Sequence, residues 1–520
     1  MRKVGFLLLL GNVMWFAACG SGGGASNTVT SISVTCSPSS VGPGGTSQCS
    51  AFVSGTGNFS SGVTWSASAG SISTSGLLTA PSSPQTVTVT ATSTQNTSVS
   101  GTANVSVTTT SSNVAPMIVD AGPAPSSFTS VNVAFVTVTV CVAGTTTCQS
   151  IDHVEVDTGS EGLRLLSSAS GGELNISLAP ETVGGNPVDE CLVFADGYVW
   201  GPVATADVTV AGESASNVPV QLMIPASSSP GVPNSCSSQN PLGGNGNEGG
   251  SVMAFGANGI IGVGAFVNDC GAYCVSNGAS CNGSSSLPCV YYQCPSSGCT
   301  ATNLALSQQV PNPVTLFATD NNGVLVQLPA VPDGGSPTVS GSLIFGIGTE
   351  SNNAVPSGAN IYPIPGSSCN CNLEGDIITT FNGQSYPQSF IDSGSNGLFF
   401  LDSSVSGVPA TCTGQNSSWY CPSNSPDDLT ASNQGQTNSG PVATPIPVNF
   451  TIENANNLFN TINTAFSTLG GPIAANCGSG SNPACAFDWG LPFFYGKPYG
   501  VFTAIDTMST PAGTGPYFAY

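Results

Sequence analysis

Basic residues are nearly absent from this sequence. Of its 520 residues only four are Lys or Arg and one is His, so the formal net charge is −22 although only 6% of the residues are charged. Arg2 and Lys3 lie at the N-terminus, which leaves Arg164 and Lys497 as the bases of the remaining chain. Two bases cannot build a phosphate-binding surface, so the composition excludes nucleic acid as a partner. Since few groups besides carboxyl groups titrate, the composition suits an acidic exterior.

The single histidine, His153, restricts the possible catalytic chemistry. A zinc site built on several histidines is excluded, and we predict neither a metal nor a cofactor. A Ser-His-Asp or Cys-His enzyme would depend on His153 alone. Because His153 lies four residues before Asp157 on one predicted strand, we interpret it as a polar residue of a half-buried strand.

Long hydrophobic runs are also missing, apart from residues 4–16. This run follows Arg2-Lys3 and ends in Ala17-Ala18-Cys19-Gly20. The pattern resembles a bacterial lipoprotein signal over residues 1–19, which implies lipidation of Cys19 and a flexible tether at 20–27. Cleavage as an ordinary secretory signal is the alternative. Gly20 after Cys19 favours the outer membrane or cell surface, with the lipid as the membrane anchor.

Cysteine is plentiful, with 19 residues in the chain. Export would place them in an oxidising space, where the 18 cysteines after Cys19 could form nine disulfides. Short spacings predict four local pairs, namely Cys36 with Cys49, Cys141 with Cys148, Cys412 with Cys421 and Cys477 with Cys485. The six cysteines between Cys270 and Cys299 predict a cross-linked insertion whose connectivity the spacing leaves open.

Residues 28–109 show short alternating strands between Pro and Gly turns, as at residues 86–90. The stretches at 62–66, which contain Trp65, and at 70–81 resemble bacterial Ig-like domains of surface proteins. The resemblance implies a β-sandwich with Trp65 in its core and a spacer or adhesive role. A polar linker is predicted at 110–117. The remaining chain is rich in strand patterns without long helical periodicity, so the predicted class is all-β, or mostly β.

Two short segments carry the strongest chemical signal. Asp157 lies in Val-Asp-Thr-Gly-Ser at 156–160 and Asp392 in Ile-Asp-Ser-Gly-Ser at 391–395, each between apolar strands. Their separation of 392 − 157 = 235 residues allows one copy in each of two lobes. If the turns face each other, the carboxyl groups share one proton, because two adjacent carboxylates cannot both ionise cheaply. Such a pair can activate water.

Further landmarks follow in a characteristic order, at residues 258–264, 341–348 and, with a looser match, 488–494. Together, residues 118–520 resemble the pepsin-like aspartic endopeptidases, whose two β lobes would here span 118–330 and 331–520. The resemblance implies Asp157 and Asp392 as the catalytic dyad, hydrogen bonds across the lobes, and close-packed glycine turns. The supporting residues that it implies are Thr158, Gly159, Ser160, Ser393, Gly394 and Ser395.

The same family carries a hairpin flap that closes over substrate and bears a Tyr. By resemblance, residues 194–201 form this flap, with Gly197 and Gly201 at its glycine positions and Phe194 at the Tyr position. Arg164 stands where the family usually has the Trp that bonds this Tyr, so the flap chemistry is altered at both positions. Tyr198 could supply a hydroxyl in a shifted register. Arg164 either lies near the dyad and lowers a carboxyl pKa or forms a surface ion pair with a nearby acid such as Glu161.

The resemblance implies a monomeric, surface-anchored endopeptidase that hydrolyses extended polypeptides at acidic pH. Two alternatives remain: a pepsin-like binding protein without turnover, and a structural or adhesive lipoprotein whose Ig-like domain is the active part. A two-carboxylate glycosidase fits less well, because the Gly-Ser turns would have no role there.

Overall fold

A computed structural model describes most of the chain. It covers residues 27–37, 40–41, 45–81, 83–107, 113–123, 130–194, 197–225, 228, 231–238, 251–283, 288–367, 375–479, 482 and 484–520. The predicted signal with Cys19, the tether up to residue 26, and Cys369 and Cys371 lie outside these residues. Within them, no helix combines the length and the apolar character needed to cross a membrane.

The described residues are mostly β, which confirms the predicted fold class. The chain divides into two compact units between Ser111 and Ser112. The smaller unit contains β1 Thr28–Ser37, β2 Ser40–Val41, β3 Thr46–Thr56, β4 Val63–Ala67, β5 Ser71–Ile72, β6 Leu77–Thr79, β7 Gln85–Ser93 and β8 Ser100–Val107.

The smaller unit consists of two four-stranded sheets, ordered β1-β3-β6-β5 and β2-β8-β7-β4. In β7, Val87 and Val89 are completely buried between more exposed threonines, which is the two-residue period of a strand with one face in a core. Trp65 is partly buried and packs against this core. The disulfide between Cys36 and Cys49 joins β1 to β3.

The larger unit is also built from strands and short helices. Its strands are β9 Val114–Val119, β10 Ala134–Val142, β11 Cys148–Asp157, β12 Glu161–Leu166, β13 Ala179–Pro180, β14 Thr182–Val183, β15 Asn186–Val193, β16 Tyr198–Val210, β17 Glu213–Met223, β18 Gly259–Val263, β19 Tyr291–Gln293, β20 Thr300–Ala301, β21 Gly323–Gln327, β22 Val339–Phe345, β23 Ile361–Pro363, β24 Ile377–Phe381, β25 Gln384–Ile391, β26 Leu398–Phe400, β27 Asp427–Thr437, β28 Gly440–Ile452, β29 Gly470–Pro472, β30 Asp488–Trp489, β31 Val501–Ala504, β32 Ser509–Thr510, β33 Gly513–Thr514 and β34 Tyr517–Ala519. Its helices are α1 Asn234–Ser237, α2 Val252–Phe255, α3 Ala272–Ser276 and α4 Ala455–Leu458, and its 3₁₀ turns are Ser168–Ser170, Gly278–Ser280, Leu306–Gln308, Pro313–Leu316, Gly414–Asn416, Cys477–Ser479 and Leu491–Phe494.

One strand arrangement occurs twice in the larger unit. In the first half, β18 lies parallel to β11 and antiparallel to β12, and β12 lies parallel to β17. In the second half, β30 lies parallel to β25 and antiparallel to β26, and β26 lies parallel to β29. The residues of β18 are all buried because strands flank it on both sides, which explains its uninterrupted apolar sequence. This repeat brings the two Asp turns to equivalent positions.

Strands from distant parts of the chain join the two halves. β9 pairs with both β10 and β22, and β31 pairs with β21 and β34. β9 begins at Val114, so part of the span expected to be a linker, 110–117, belongs to a sheet. The segment expected to open the second lobe, 341–348, forms β22 up to Phe345.

The described residues contain eight disulfides. The four local pairs predicted from spacing are confirmed. The cysteine-rich insertion pairs sequentially, as Cys270–Cys274, Cys281–Cys289 and Cys294–Cys299. The pair Cys191–Cys236, which spans 45 residues, had no signal in the spacing.

Candidate active site

The two Asp turns meet and bind each other reciprocally. The backbone amide of Thr158 donates to Oγ of Ser393 at 3.1 Å, and the amide of Ser393 donates to Oγ1 of Thr158 at 2.9 Å. Oγ of Ser393 also donates to the carbonyl oxygen of Val156 at 2.7 Å. Both side chains are buried. These bonds join residues 235 positions apart and fix one turn against the other.

Each Asp carboxyl group is held by its own turn in the same way. The amide of Gly159 donates to Oδ1 of Asp157 at 2.7 Å, and the amide of Gly394 donates to Oδ1 of Asp392 at 2.7 Å. The hydroxyl of the serine that follows each glycine donates to the other oxygen, Oδ2, with Ser160 bonding Asp157 and Ser395 bonding Asp392. The two halves therefore present two matched carboxyl groups.

The glycines of the turns are required by the closeness of the opposite carboxyl group. A Cβ atom on Gly159 would lie 2.6 Å from Cγ of Asp392, and one on Gly394 would lie 2.7 Å from Cγ of Asp157. Neither distance can accommodate a side chain. Each carboxyl group thus packs directly on the backbone of the other turn, and only glycine permits this approach.

The environment favours a proton on Asp157. Its side chain is buried, and burial, followed by the negative charge of Asp392, raises the pKa of Asp157 well above its ordinary value. Hydrogen bonds from Ser160 and Gly159 act in the opposite direction but are outweighed. The charge of Asp392 therefore favours the protonated form of Asp157.

Two further carboxyl groups lie beside the turns. Glu161 follows the first turn, accepts a hydrogen bond from the amide of Phe266 at 3.1 Å, and has its pKa raised to about 7 by burial. Asp488 lies in β30 beside the second turn and is 1% exposed, and burial raises its pKa well above the usual range. From the sequence, Asp488 was only part of a loosely matching segment, and Glu161 was only a possible ion-pair partner of Arg164.

The structure contradicts the prediction of a surface ion pair for Arg164. Its side chain is completely buried, and its Nη2 forms ion pairs with Glu190 at 2.5 Å and with Asp269 at 3.2 Å. Tyr291 donates to Asp269 at 2.7 Å and ties the cysteine-rich insertion to this cluster. The guanidinium therefore lies between two buried acids, and burial followed by the charge of Glu190 raises the pKa of Asp269 well above its ordinary value although Arg164 lowers it. It is not a surface ion pair, and its acidic partners are not the two Asp residues of the turns.

The predicted flap segment is a hairpin with both faces covered. β15 and β16 pair along their length, and the amide of Phe194 donates to the carbonyl of Gly197 at 2.8 Å across the turn. Phe194 packs against an apolar cluster that includes Val199. Tyr198 lies on the opposite face, within a cluster formed by the cysteine-rich insertion.

Tyr198 is therefore packed against disulfides, and the suggestion that it supplies a hydroxyl in place of Phe194 has no support in the described contacts. Gly201 has a packing role, since a Cβ atom there would lie 1.9 Å from the carbonyl oxygen of Leu222. The hairpin is further restrained by β19, which pairs along β15, and by the Cys191–Cys236 disulfide.

The two other basic groups lie in defined surroundings. His153 is half-buried, with Nε2 3.3 Å from Asp120 and Nδ1 3.2 Å from Asp152. Burial lowers the pKa of His153, but the hydrogen bonds to these acids outweigh it and raise the pKa to about 9. The ammonium group of Lys497 lies 3.6 Å from the ring centre of Phe493, and burial lowers its pKa to about 8.

One group of possible metal ligands lies within the described residues, formed by Asp189, Cys294 and Cys299. The two cysteines are joined in a disulfide, so they carry no thiolate with which to bind a metal. This group therefore does not fit a metal site.

Comparisons with known proteins place the chain in a family. No curated protein matches the sequence. Among solved structures, the crystal structure of an aspartic proteinase from Irpex lacteus is similar at 13% sequence identity and a TM-score of 0.36, over 73% of this chain and 91% of that chain. Residues 109–520 match the family model described as "Protein of unknown function (DUF3443)", and the chain therefore belongs to that family.

Proposed function

We propose that this chain is an aspartic endopeptidase that hydrolyses peptide bonds at acidic pH. The observation that carries the proposal is the reciprocal bonding of Thr158 and Ser393, which packs the carboxyl groups of Asp157 and Asp392 against each other's turns. A binding surface would have no need to hold the buried Asp157 against a second, partly buried acid, because placing it beside another carboxyl group costs folding free energy. A reaction that needs one acid and one base in the same place uses this arrangement directly.

The proposed reaction needs no covalent intermediate. A water molecule held between the carboxyl groups gives a proton to the ionised carboxylate as its oxygen bonds to the peptide carbonyl carbon. The protonated carboxyl group gives its proton to the carbonyl oxygen, which forms a neutral tetrahedral diol. As the C–N bond breaks, the carboxyl group that took the proton of water gives it to the leaving nitrogen. One hydroxyl of the diol gives its proton to the other carboxylate, which regenerates the dyad. The products are a carboxylic acid and an amine.

We propose an extended polypeptide as the substrate. The hairpin of β15 and β16 supports this, because backbone groups of a hairpin can pair with an extended chain as a neighbouring strand does. The eight described disulfides support a location in an oxidising compartment outside the cytoplasm. Attachment through a lipid on Cys19 remains part of this proposal.

The test is cleavage of an unfolded protein by residues 20–520, from about pH 2 to pH 7, which brackets the ordinary carboxyl range. Asp157→Asn and Asp392→Asn should each abolish cleavage, whereas the exposed Asp428→Asn should retain it as a matched loss of one carboxyl group. A transition-state-mimicking aspartic-protease inhibitor should block the wild type. Absence of cleavage at every pH from a folded, oxidised sample would refute the proposal.

One observation favours a second candidate, a peptide-binding protein without turnover. Phe194, at the turn of the hairpin, carries no hydroxyl, and the hairpin is fixed by Cys191–Cys236. A folded sample that binds the inhibitor in calorimetry yet cleaves nothing would establish this alternative.

A further inference from the structure

A third carboxyl group, that of Asp488, lies behind the second Asp turn. Asp488 is 1% exposed and belongs to β30, which runs parallel to β25, the strand that leads into Asp392. The amide of Asp392 donates to the carbonyl of Trp489, the next residue, at 3.2 Å. The turn is held from the other side by the amide of Leu491, which donates to the carbonyl of Ser395 at 2.7 Å. Asp488 is therefore part of the frame around Asp392.

The repeat of the two halves shows that a carboxyl group is not needed here for the fold. Ile261 pairs with Val156 in the first half as Trp489 pairs with Ile391 in the second. The preceding residues, Ile260 and Asp488, are therefore equivalent, and Ile260 is an ordinary buried apolar residue at 4% exposure. A buried acid at this position of the second half calls for a specific explanation, since burying it costs free energy.

The surroundings of Asp488 define the form in which it exists. Neither carboxyl oxygen has a hydrogen-bond partner among the described residues. The neighbouring strand residues are Phe390 and Phe399, which are apolar. The polar groups that act on it are Asp392 and the hydroxyl of Ser395. Burial, followed by the charge of Asp392, raises the pKa of Asp488 well above its usual range, although the hydroxyl of Ser395 lowers it, so the environment favours a proton on Asp488.

Ser395 has the hydrogen-bonding capacity to connect the two acids. Its hydroxyl proton is already used, because Oγ donates to Oδ2 of Asp392 at 2.8 Å. Its oxygen lone pairs can still accept, and a protonated carboxyl group is a donor. A donor behind a hydroxyl strengthens the bond that this hydroxyl makes, because successive hydrogen bonds polarise one another.

We propose that protonated Asp488 is a positioning residue of the active site, which donates to Ser395 and through it stabilises the carboxylate of Asp392. The assignment rests on the proposed function and deepens it. It makes Asp392 the base that receives the proton of water, and it makes Asp157 the acid that hydrogen-bonds the substrate carbonyl. The first half has Ile260 in place of a donor, so this position adds to the asymmetry that the burial of Asp157 already creates.

The kinetic test compares pH profiles of kcat/KM for the wild type, Asp488→Val and Asp488→Asn. The loss of activity at low pH reports protonation of the base, Asp392. Removal of the Asp488 donor should therefore shift the acidic limb of the profile to higher pH by about half to one unit. Asp488→Asn keeps an N–H donor and should move the limb in the same direction by less. The double variant Ser395→Ala/Asp488→Val should show no further shift beyond Ser395→Ala. Asp428→Asn, which removes an exposed carboxyl group, should leave the profile unchanged.

A second measurement does not require activity. Infrared difference spectra at neutral pH between wild type and Asp488→Asn should show the loss of a protonated-carboxyl carbonyl band, and Asp428→Asn, at an exposed residue, should leave that band in place. An ionised band for Asp488, or an acidic limb unmoved in both folded Asp488 variants, would overturn the inference. If the wild type cleaves nothing, the proposed function fails, while the infrared result still decides whether Asp488 carries a proton.

Discussion

Arg164 and Glu190 form an ion pair from which solvent is excluded, with both side chains at 0% exposure and Nη2 2.5 Å from Oε1. Glu190 belongs to the hairpin strand β15, and the second partner of Arg164, Asp269, lies immediately before the cysteine-rich insertion. Through these two contacts Arg164 joins β12, the strand that follows the first Asp turn, to Glu190 and Asp269, which lie 26 and 105 residues further along the chain.

Removal of the cation should destabilise this region strongly. Arg164→Met removes the cation that Glu190 and Asp269 share, so we expect the free energy of unfolding to fall by about 3–5 kcal/mol in denaturant titrations. Replacement of the whole cluster, as Arg164→Met/Glu190→Leu/Asp269→Asn, should recover most of the loss because no buried charge remains. A single variant as stable as the wild type would contradict the described pairing.

The contact between the Asp turns should depend on the hydroxyl of Ser393. Ser393→Ala leaves the buried amide of Thr158 and the carbonyl of Val156 without their described partners, so we expect a loss of about 1–3 kcal/mol in unfolding free energy. Ser393→Thr keeps the hydroxyl and reproduces the residue type of the first turn, so it should retain most of the stability and the cleavage. Ser417→Ala, at an exposed serine, is the control.

The folded protein should be more stable at weakly acidic pH than at pH 9. Burial raises the pKa of Glu161 from 4.5 to about 7 and that of Asp376 from 3.8 to about 8. The folded state binds these protons more tightly than the unfolded chain, so stability is lost as pH rises through these values. Ionisation of Glu161 alone costs on the order of 3 kcal/mol.

The titration of His153 should also make the folded protein less stable as the pH rises. Burial lowers its pKa, but Asp120 and Asp152 raise it from 6.5 to about 9 overall. Its contribution is fully present below pH 6.5 and is lost as pH rises through about 9. Thermal unfolding midpoints from pH 5 to pH 9 test this, and Glu161→Gln should flatten the decline near pH 7. A midpoint that rises with pH over this range would be the contrary result.

The Cys191–Cys236 disulfide should contribute more than a short-range one. It closes a loop with a separation of 45 residues, so replacement of both cysteines by Ala should cost about 4 kcal/mol in the chain-entropy model. Cys270–Cys274 has a separation of 4, and its removal should cost about 2 kcal/mol. Equal losses of unfolding free energy for the two variants in denaturant titrations would show that local packing, and not loop length, sets the contribution of each disulfide. Limited proteolysis should also cut the hairpin near Phe194 faster in the first variant.

The sequence predicted the features that depend on neighbouring residues. The strand class follows from alternating and continuous apolar patterns, as in β7 and β18. The two Asp turns were recognisable because strand, turn and strand lie within a few residues. Four disulfides could be predicted because their cysteines are at most 13 residues apart.

Contacts between distant residues were accessible only from the tertiary structure. Arg164 has partners 26 and 105 residues away, so the sequence could not show that it is buried rather than exposed. The residue type of Tyr198 suggested a hydroxyl near the dyad, but strand alternation places it on the face covered by the insertion.

The sequence by itself determined that the chain is a β protein with two equivalent turns, Asp-Thr-Gly-Ser at 157–160 and Asp-Ser-Gly-Ser at 392–395, because short-range patterns encode strands and turns. The tertiary structure decided that these turns bind each other, that Arg164 serves buried acids, and that Asp488 lies behind Asp392. These relationships depend on which strands become neighbours, and strand pairing across more than a hundred residues leaves no local trace in a single sequence.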